Sequence, residues 1–366
     1  MDESEEAINE SSAGPPKSLN RRLRRGAIIG LVAAAVLAAG LGTCLVLRPG
    51  GPERPPSIPS SEVRPLEKVS GLVFPAELLW HVPLTRTDAE GNPTPDSAAM
   101  PADVAVVNGR IYVLDTNNGR IMEIAEGGNV LQILDSNSDS HLALQGPMAI
   151  AAQNSELFVA NSRAGNVIVL DSQGAVQRVI TPQVTAAEKP LRPIGIAVAA
   201  NGDIFLSDPD NHRVLHLDSE GRLLSSLGSG IRDSGEYGFN MPGGLCLDAE
   251  DNLYVVDMLN YKVKKYSSSG EFLLSVGEAG DTEGTFSRPK SIAVDANGRI
   301  LVSDTLQVAV EAFDPDGTYA GFIGREDPDN IESASFFQAP HGLKIIGDTL
   351  YVVDRFAGLF AFRLPV

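Results

Sequence analysis

The sequence predicts an all-β chain, a six-bladed β-propeller built from four-stranded antiparallel blades, preceded by a single N-terminal transmembrane α-helix. Three observations predict it. A unit of four short alternating runs divided by glycine turns recurs six times, each recurrence opens on a proline, and an uncharged apolar segment precedes them all.

The first 25 residues are polar, with five acids followed by Lys17, Arg21, Arg22, Arg24 and Arg25. They are too hydrophilic to fold alone and read as a cytoplasmic tail. Gly26 to Leu47 then runs for 22 residues without a charge. At about 1.5 Å rise per residue, such a run crosses a hydrocarbon core of roughly 30 Å. The arginine cluster before it keeps that side in the cytoplasm. A cleaved signal peptide is one alternative, but the tail and the apolar run both exceed its usual lengths. A lipoprotein is another, since Leu41-Gly42-Thr43-Cys44 resembles a lipobox; Thr43 fits that motif poorly, and the apolar run continues beyond Cys44. Residues 48–70 are proline-rich and lack hydrophobic period, so they read as a semi-extended linker holding residues 71–366 off the outer membrane surface.

Within residues 71–366 the unit is clearest over Arg192 to Gly228. There Ile194–Val198, Ile204–Ser207, Val214–Leu217 and Leu223–Leu227 alternate between turns at Gly202 and Gly221. Four strands of about five residues form a meander that cannot bury both of its faces alone. The copies open at Pro101, Pro147, Pro193, Pro242, Pro289 and Pro340, spaced 46, 46, 49, 47 and 51 residues apart. An Asp or Asn follows each proline after 14 or 15 positions: Asp115, Asn161, Asp208, Asp257, Asp304 and Asp354. A four-strand period of this length is the mark of a propeller. The last copy has three strands, so Leu78–Val82, upstream of the first proline, is expected to pair with Leu359–Phe362 and close the ring.

These copies resemble NHL repeats, roughly P-x-G-I-A-V, N-G-x-I-Y-V-x-D and N-x-R-V. Blade three (PIGIAV, NGDIFLSD, NHRV) and blade five (PKSIAV, NGRILVSD) match best, while blade two has Asn161 in place of the Asp. The resemblance implies a propeller scaffold shared by binding proteins and a few enzymes, so function must be argued from a site.

The chain carries a net charge of −18. The first 70 residues contribute +1, which leaves −19 on the propeller and excludes nucleic acid as its partner. Cys44 and Cys246 stand in apolar runs and read as buried thiols, not as a bridged pair. The repeated Asp reads as a turn cap. Asp135-Ser136-Asn137-Ser138-Asp139 has the opening spacing of a calcium loop but Ser140 and Gly146 where that loop needs Gly and Glu, so it reads as a polar loop.

The resemblance also raises the zinc that some NHL-family lyases hold on histidines from several blades. The residues after the six prolines are Ala102, Met148, Ile194, Gly243, Lys290 and His341, and one histidine cannot assemble a three-His site. No G-x-S-x-G, H-E-x-x-H, C-x-x-C or P-loop motif occurs, so no catalytic residue, metal or cofactor is assigned.

Connections of 12 to 16 residues between blades fall at the end shared with the second-to-third strand turns, and short glycine turns fall at the other. Long loops on a rigid scaffold are where binding concentrates. Phe239, Phe286 and Phe337 repeat and read as packing between blades, whereas Tyr237 and Phe336 break the repeat. The candidate partner-binding residues on the loop-rich face are Arg163, Tyr237, Tyr261, Lys290, Arg325, Phe336, His341, Arg355 and Phe356. The expected function is a membrane-tethered, extracytoplasmic scaffold binding a protein, small-molecule or glycan ligand. A lyase- or lactonase-type propeller enzyme and a sensor subunit are the alternatives.

Overall fold

The computed structural model describes residues 74–184, 189–324 and 335–365. The expected tail, membrane helix and linker, together with Cys44 and Arg325, lie outside these residues. Among the described residues no helix is long and apolar enough to cross a membrane.

The described residues form six four-stranded antiparallel sheets arranged as the blades of a propeller. The innermost strands are Pro101–Val107, Pro147–Gln153, Ile196–Val198, Pro242–Leu247, Pro289–Val294 and Pro340–Ile346. Each packs beside the innermost strand of the next blade, and the sixth returns to the first, so the ring is closed. Closure is made by the N-terminal strand Glu77–Val82, which pairs with Gly358–Arg363 in the register Leu78↔Phe362 and Val82↔Leu359. The sixth blade thus joins the two ends of the repeat region and leaves no unpaired inner edge.

Burial follows from position in the blade. The second strands Leu253–Asp257 and Ile300–Asp304 are buried at every residue, while the outermost strand Val130–Leu134 is exposed along its middle. A separate apolar cluster fills each of the six interfaces between blades. The repeated phenylalanines belong to these clusters: Phe239, Phe286 and Phe337 are almost fully buried. Phe286 lies 5.6 Å from the ring of Phe313. Gly277, at φ +82, leaves the room for it, since a Cβ there would stand 2.2 Å from the Phe286 ring.

The repeated carboxylate does more than cap a turn. Asp354 accepts N–H groups from Phe356 and Ala357 in the turn that follows, and from Gln338 and Ala339 in the loop entering the blade. Asp304 does the same with Leu306 and Gln307, and with Ser287 and Arg288. In blade two, Asn161 keeps the loop contact by accepting from Gln145 N–H at 2.6 Å. One buried side chain therefore ties the incoming loop to the second-to-third turn, so the loop-rich face is pinned at its base. In that turn the fourth residue after the Asp is left-handed in every blade: Gly119, Gly165, His212, Tyr261, Val308 and Gly358 all have positive φ.

Candidate functional site

The innermost strands surround a cavity of about 340 Å³ along the propeller axis. Because these strands start on the loop-rich face, the residues after five of the six prolines, Ala102, Met148, Ile194, Lys290 and His341, line the cavity at that end. Lys290 and His341 both line it, with Met148 and Ile194 across from them.

His341 is held from both sides. Its Nδ1 lies 2.7 Å from the carbonyl oxygen of Ala102, which has no proton to give, so Nδ1–H donates. Its Nε2 is then the bare nitrogen, and Arg355 Nη2 donates to it at 2.8 Å. A ring fixed in this tautomer beside a guanidinium resists protonation. Burial and the neighbouring Arg355 charge push its pKa down to about 3.

Lys290 is desolvated and, among the described residues, has no ion-paired acid. Its Nζ points at Met258 Sδ, 3.7 Å away. Burial, and then the charges of Arg288 and Arg355, bring its pKa down to about 8. Asp304 is the one carboxylate that acts on it, and its oxygens are already taken by the four backbone N–H groups described above. Arg355 is likewise shifted down by burial and by Arg288, and its Nε is buried with no partner. Half-buried Lys290 and Arg355, with the exposed Arg288 beside them, therefore gather on one side of the mouth of an acidic protein, and the desolvation of the first two costs free energy unless an anion joins them.

Deeper in the cavity, Asp103 accepts a hydrogen bond from Ile150 N–H at 2.9 Å. Burial raises its pKa to about 7, against the weaker opposing pull of Lys344. Nothing in the order of residues marks Asp103, since neighbouring copies carry Ala149, Gly195 and Gly244 in comparable places; its desolvation arises from closure of the ring.

The remaining sequence candidates are spread over the face. Phe356 is exposed and follows Arg355. Arg163 is exposed in blade two, its side chain against Gly146. Tyr237 is half exposed on the outer side of blade four, where its hydroxyl accepts from Phe272 N–H and its ring leans on Tyr266. Tyr261 and Phe336 are half-buried and pack against interface clusters. The structure thus brings Lys290, His341, Arg355 and Phe356 together and leaves Arg163 and Tyr237 apart from them. Arg288, which the sequence reading passed over, acts on both Lys290 and Arg355 and stands with the first group.

A metal does not fit this mouth. Its one histidine has both ring nitrogens engaged, its other polar groups are cations, and among the described residues no three His, Cys, Asp or Glu side chains converge to hold an ion. In the Asp135 loop, Asp135 Oδ1 accepts from Asn137 and Ser138 N–H, while Asp139 is taken up by His141 and Val176 N–H.

Comparison with known proteins defines the class. The fold is a six-bladed, NHL-like propeller, and the chain belongs to the family described as the SMP-30/Gluconolactonase/LRE-like region, whose model matches residues 109–324. Among solved structures, a gluconolactonase from Xanthomonas campestris shares 18% identity with a TM-score of 0.58, covering 87% of this chain and 99% of that one. A virginiamycin B lyase from Staphylococcus aureus shares 16% identity with a TM-score of 0.52, over 76% of this chain and 86% of that one. At these identities the likeness is one of fold. Curated relatives include peptidyl-glycine alpha-amidating monooxygenase B of Xenopus laevis, 28% identical over 169 residues, which is 44% of this chain and 18% of the relative. The mouse NHL repeat-containing protein 3 is 33% identical over 116 residues, 30% of this chain and 33% of the relative. The chain therefore spans well under half the length of these curated relatives.

Proposed function

We propose that this protein is a membrane-tethered propeller that binds a ligand outside the cytoplasm, at the channel mouth of its loop-rich face. The observation that carries the reading is the trio Arg288, Lys290 and Arg355, without an ion pair among the described residues, around a fixed, neutral His341 at the opening of an axial cavity. Charges held without partners destabilise the free protein and are a feature of sites that take up a complementary group. The tether is argued from the uncharged run at 26–47 and the arginines before it.

Native mass spectrometry of the full-length chain, extracted from its own membrane in mild detergent, tests the binding role. A retained molecule is expected, and it is expected to be lost from Lys290→Glu and Arg355→Glu but kept in Asn108→Ala and Glu220→Ala on the short-turn end. Retention unaffected by either mouth substitution would place the working site elsewhere. The tether is checked separately by the mature N-terminus, which at or beyond residue 44 would exclude an uncleaved anchor.

One observation favours a second reading, an enzyme of the lactonase or lyase type. An amine whose pKa is about 8 is a competent general base near neutral pH. Hydrolysis of gluconolactone by the full-length chain, abolished by Lys290→Gln, would establish it; unaltered turnover in that variant would not.

A further inference from the structure

The second residue after each repeated Asp faces the loop-rich surface, and its chemistry divides the propeller in two. In blades one, two and three these residues are Asn117, Arg163 and Asp210. In blades four, five and six they are Leu259, Leu306 and Phe356, which are 46%, 56% and 57% exposed. A leucine or phenylalanine left half in water forgoes burial of apolar surface, and here this recurs at the equivalent turn of three adjacent blades, along one arc of the loop-rich face.

The arc is built onto the cationic mouth through the chain itself. Leu259 follows Met258, whose sulfur faces Lys290 Nζ. Leu306 follows Thr305, whose N–H donates to Arg288 carbonyl and whose hydroxyl donates to the carbonyl of Pro340, the residue before His341. Phe356 follows Arg355, which holds His341. Each apolar residue is thus one peptide unit from a residue in contact with the mouth, and the carboxylate of Asp304 or Asp354 fixes the turn beneath Leu306 and Phe356.

Resting on the binding role proposed above, we infer that the mouth takes a small organic carboxylate, its charged head between Lys290 and Arg355 and its apolar body on the Leu259–Leu306–Phe356 crescent. The head chemistry follows from the two half-buried cations: an ammonium that meets a thioether, with no ion pair among the described residues, and a guanidinium whose Nη2 is spent on His341. The size follows from the cavity, whose 340 Å³ is at the small end of the range for small-molecule sites and is far below what a folded partner would fill. The head is placed between Lys290 and Arg355 because His341, with Nδ1–H given to Ala102 carbonyl and Nε2 taken by Arg355, adds no charge between them.

Isothermal titration of the full-length chain in detergent with 3-phenylpropionate, 3-phenylpropionamide, propionate and inorganic phosphate tests this. The acid is expected to bind at least tenfold more tightly than the amide, since a charge-assisted contact is worth about a factor of ten or more. It is also expected to bind more tightly than propionate or phosphate. Lys290→Gln is expected to weaken the acid about tenfold while leaving the amide unchanged, by the same scale. Leu306→Ser is expected to weaken 3-phenylpropionate and leave propionate unchanged. Arg355→Lys, which keeps the charge, is expected to retain the preference for acid over amide should Arg355→Gln fail to fold. Equal affinity for acid and amide, tighter binding of phosphate, or no loss in Lys290→Gln would overturn the inference. If the membrane-derived molecule still depends on Lys290 while no carboxylate binds, the ligand class fails and the mouth stands. If neither depends on Lys290, both fail.

Discussion

Arg355 Nη2 stands 2.8 Å from His341 Nε2 and donates to it, so the one histidine at the channel mouth is locked as a neutral acceptor. Its other nitrogen gives its proton to Ala102 carbonyl. Protonating His341 would break the Arg355 contact and set two cations side by side. With its folded pKa near 3, below the unfolded value of 6.5, it contributes stability that is complete above pH 6.5 and is lost as pH falls toward 3. Nitrogen-15 NMR is expected to find His341 in one tautomer and uncharged from pH 8 down to pH 4.5. Protonation of His341 within that range would contradict the arrangement.

Asp103 has the opposite dependence. Its folded pKa is raised to about 7 from 3.8, so its contribution is fully present below pH 3.8 and is lost as pH rises through 7. Asn at this position still accepts from Ile150 N–H and carries no charge. Asp103→Asn is expected to melt several degrees higher than the parent at pH 8, with little difference at pH 4. Equal shifts at both pH values would exclude a charge effect.

Lys290 is lowered to about 8 from 10.5, so the free protein gains stability as pH rises from 8 to above 10.5 and the amine discharges. Lys290→Met is expected to raise the melting temperature at pH 7 and to converge with the parent above pH 10. The groups that face this amine are Arg288, Arg355, Asp304 and the neutral His341. Anion binding is expected to weaken above pH 8 in the parent, and a flat profile to pH 10 would show that Lys290 is not a contact.

The blade interfaces provide the stability on which this strained mouth rests. Phe286→Ala opens a void beside Phe313 and is expected to cost about 3–5 kcal/mol. Gly277→Ala is destabilised both by its φ of +82 and by collision with the same ring, and is expected to be recovered in part by Phe286→Leu. Denaturant titration of the single and double variants measures that coupling; strict additivity would mean that the two residues do not share the space.

Much of the architecture was legible because propellers repeat. Six prolines and six Asp or Asn residues announced the blades, and the missing strand after Phe362 pointed to Leu78–Val82 as its replacement, which the register bears out. The double use of the repeated Asp was half legible, since its following turn is local but its grip on the loop before the proline spans 15 to 17 residues, as with Asn240 N–H and Asp257. The site was harder to read. Lys290, His341, Arg355 and Phe356 were named singly, from their places beside prolines and repeated acids. Their convergence with Arg288 depends on ring geometry, and the Leu259–Leu306–Phe356 crescent emerges only when equivalent turn positions of adjacent blades are seen together. Tyr261 was named for its place on the loop-rich face; with its backbone at φ +57 it is half-buried and packs against the interface cluster, which its sequence position does not announce.

The central claim is that Lys290 at the channel mouth meets the natural ligand, and the amine itself reports on it. With a pKa near 8, roughly a quarter of Lys290 is neutral at pH 7.5, against about one part in a thousand for an ordinary lysine. The decisive measurement is the rate at which acetic anhydride labels Lys290, followed by peptide mass spectrometry on the full-length chain with and without an extract of its own membrane. The extract is expected to slow labelling of Lys290 several-fold while Lys262 reacts at an unchanged rate. Lys290 labelled equally fast in both samples, with the ligand demonstrably bound, would contradict the account.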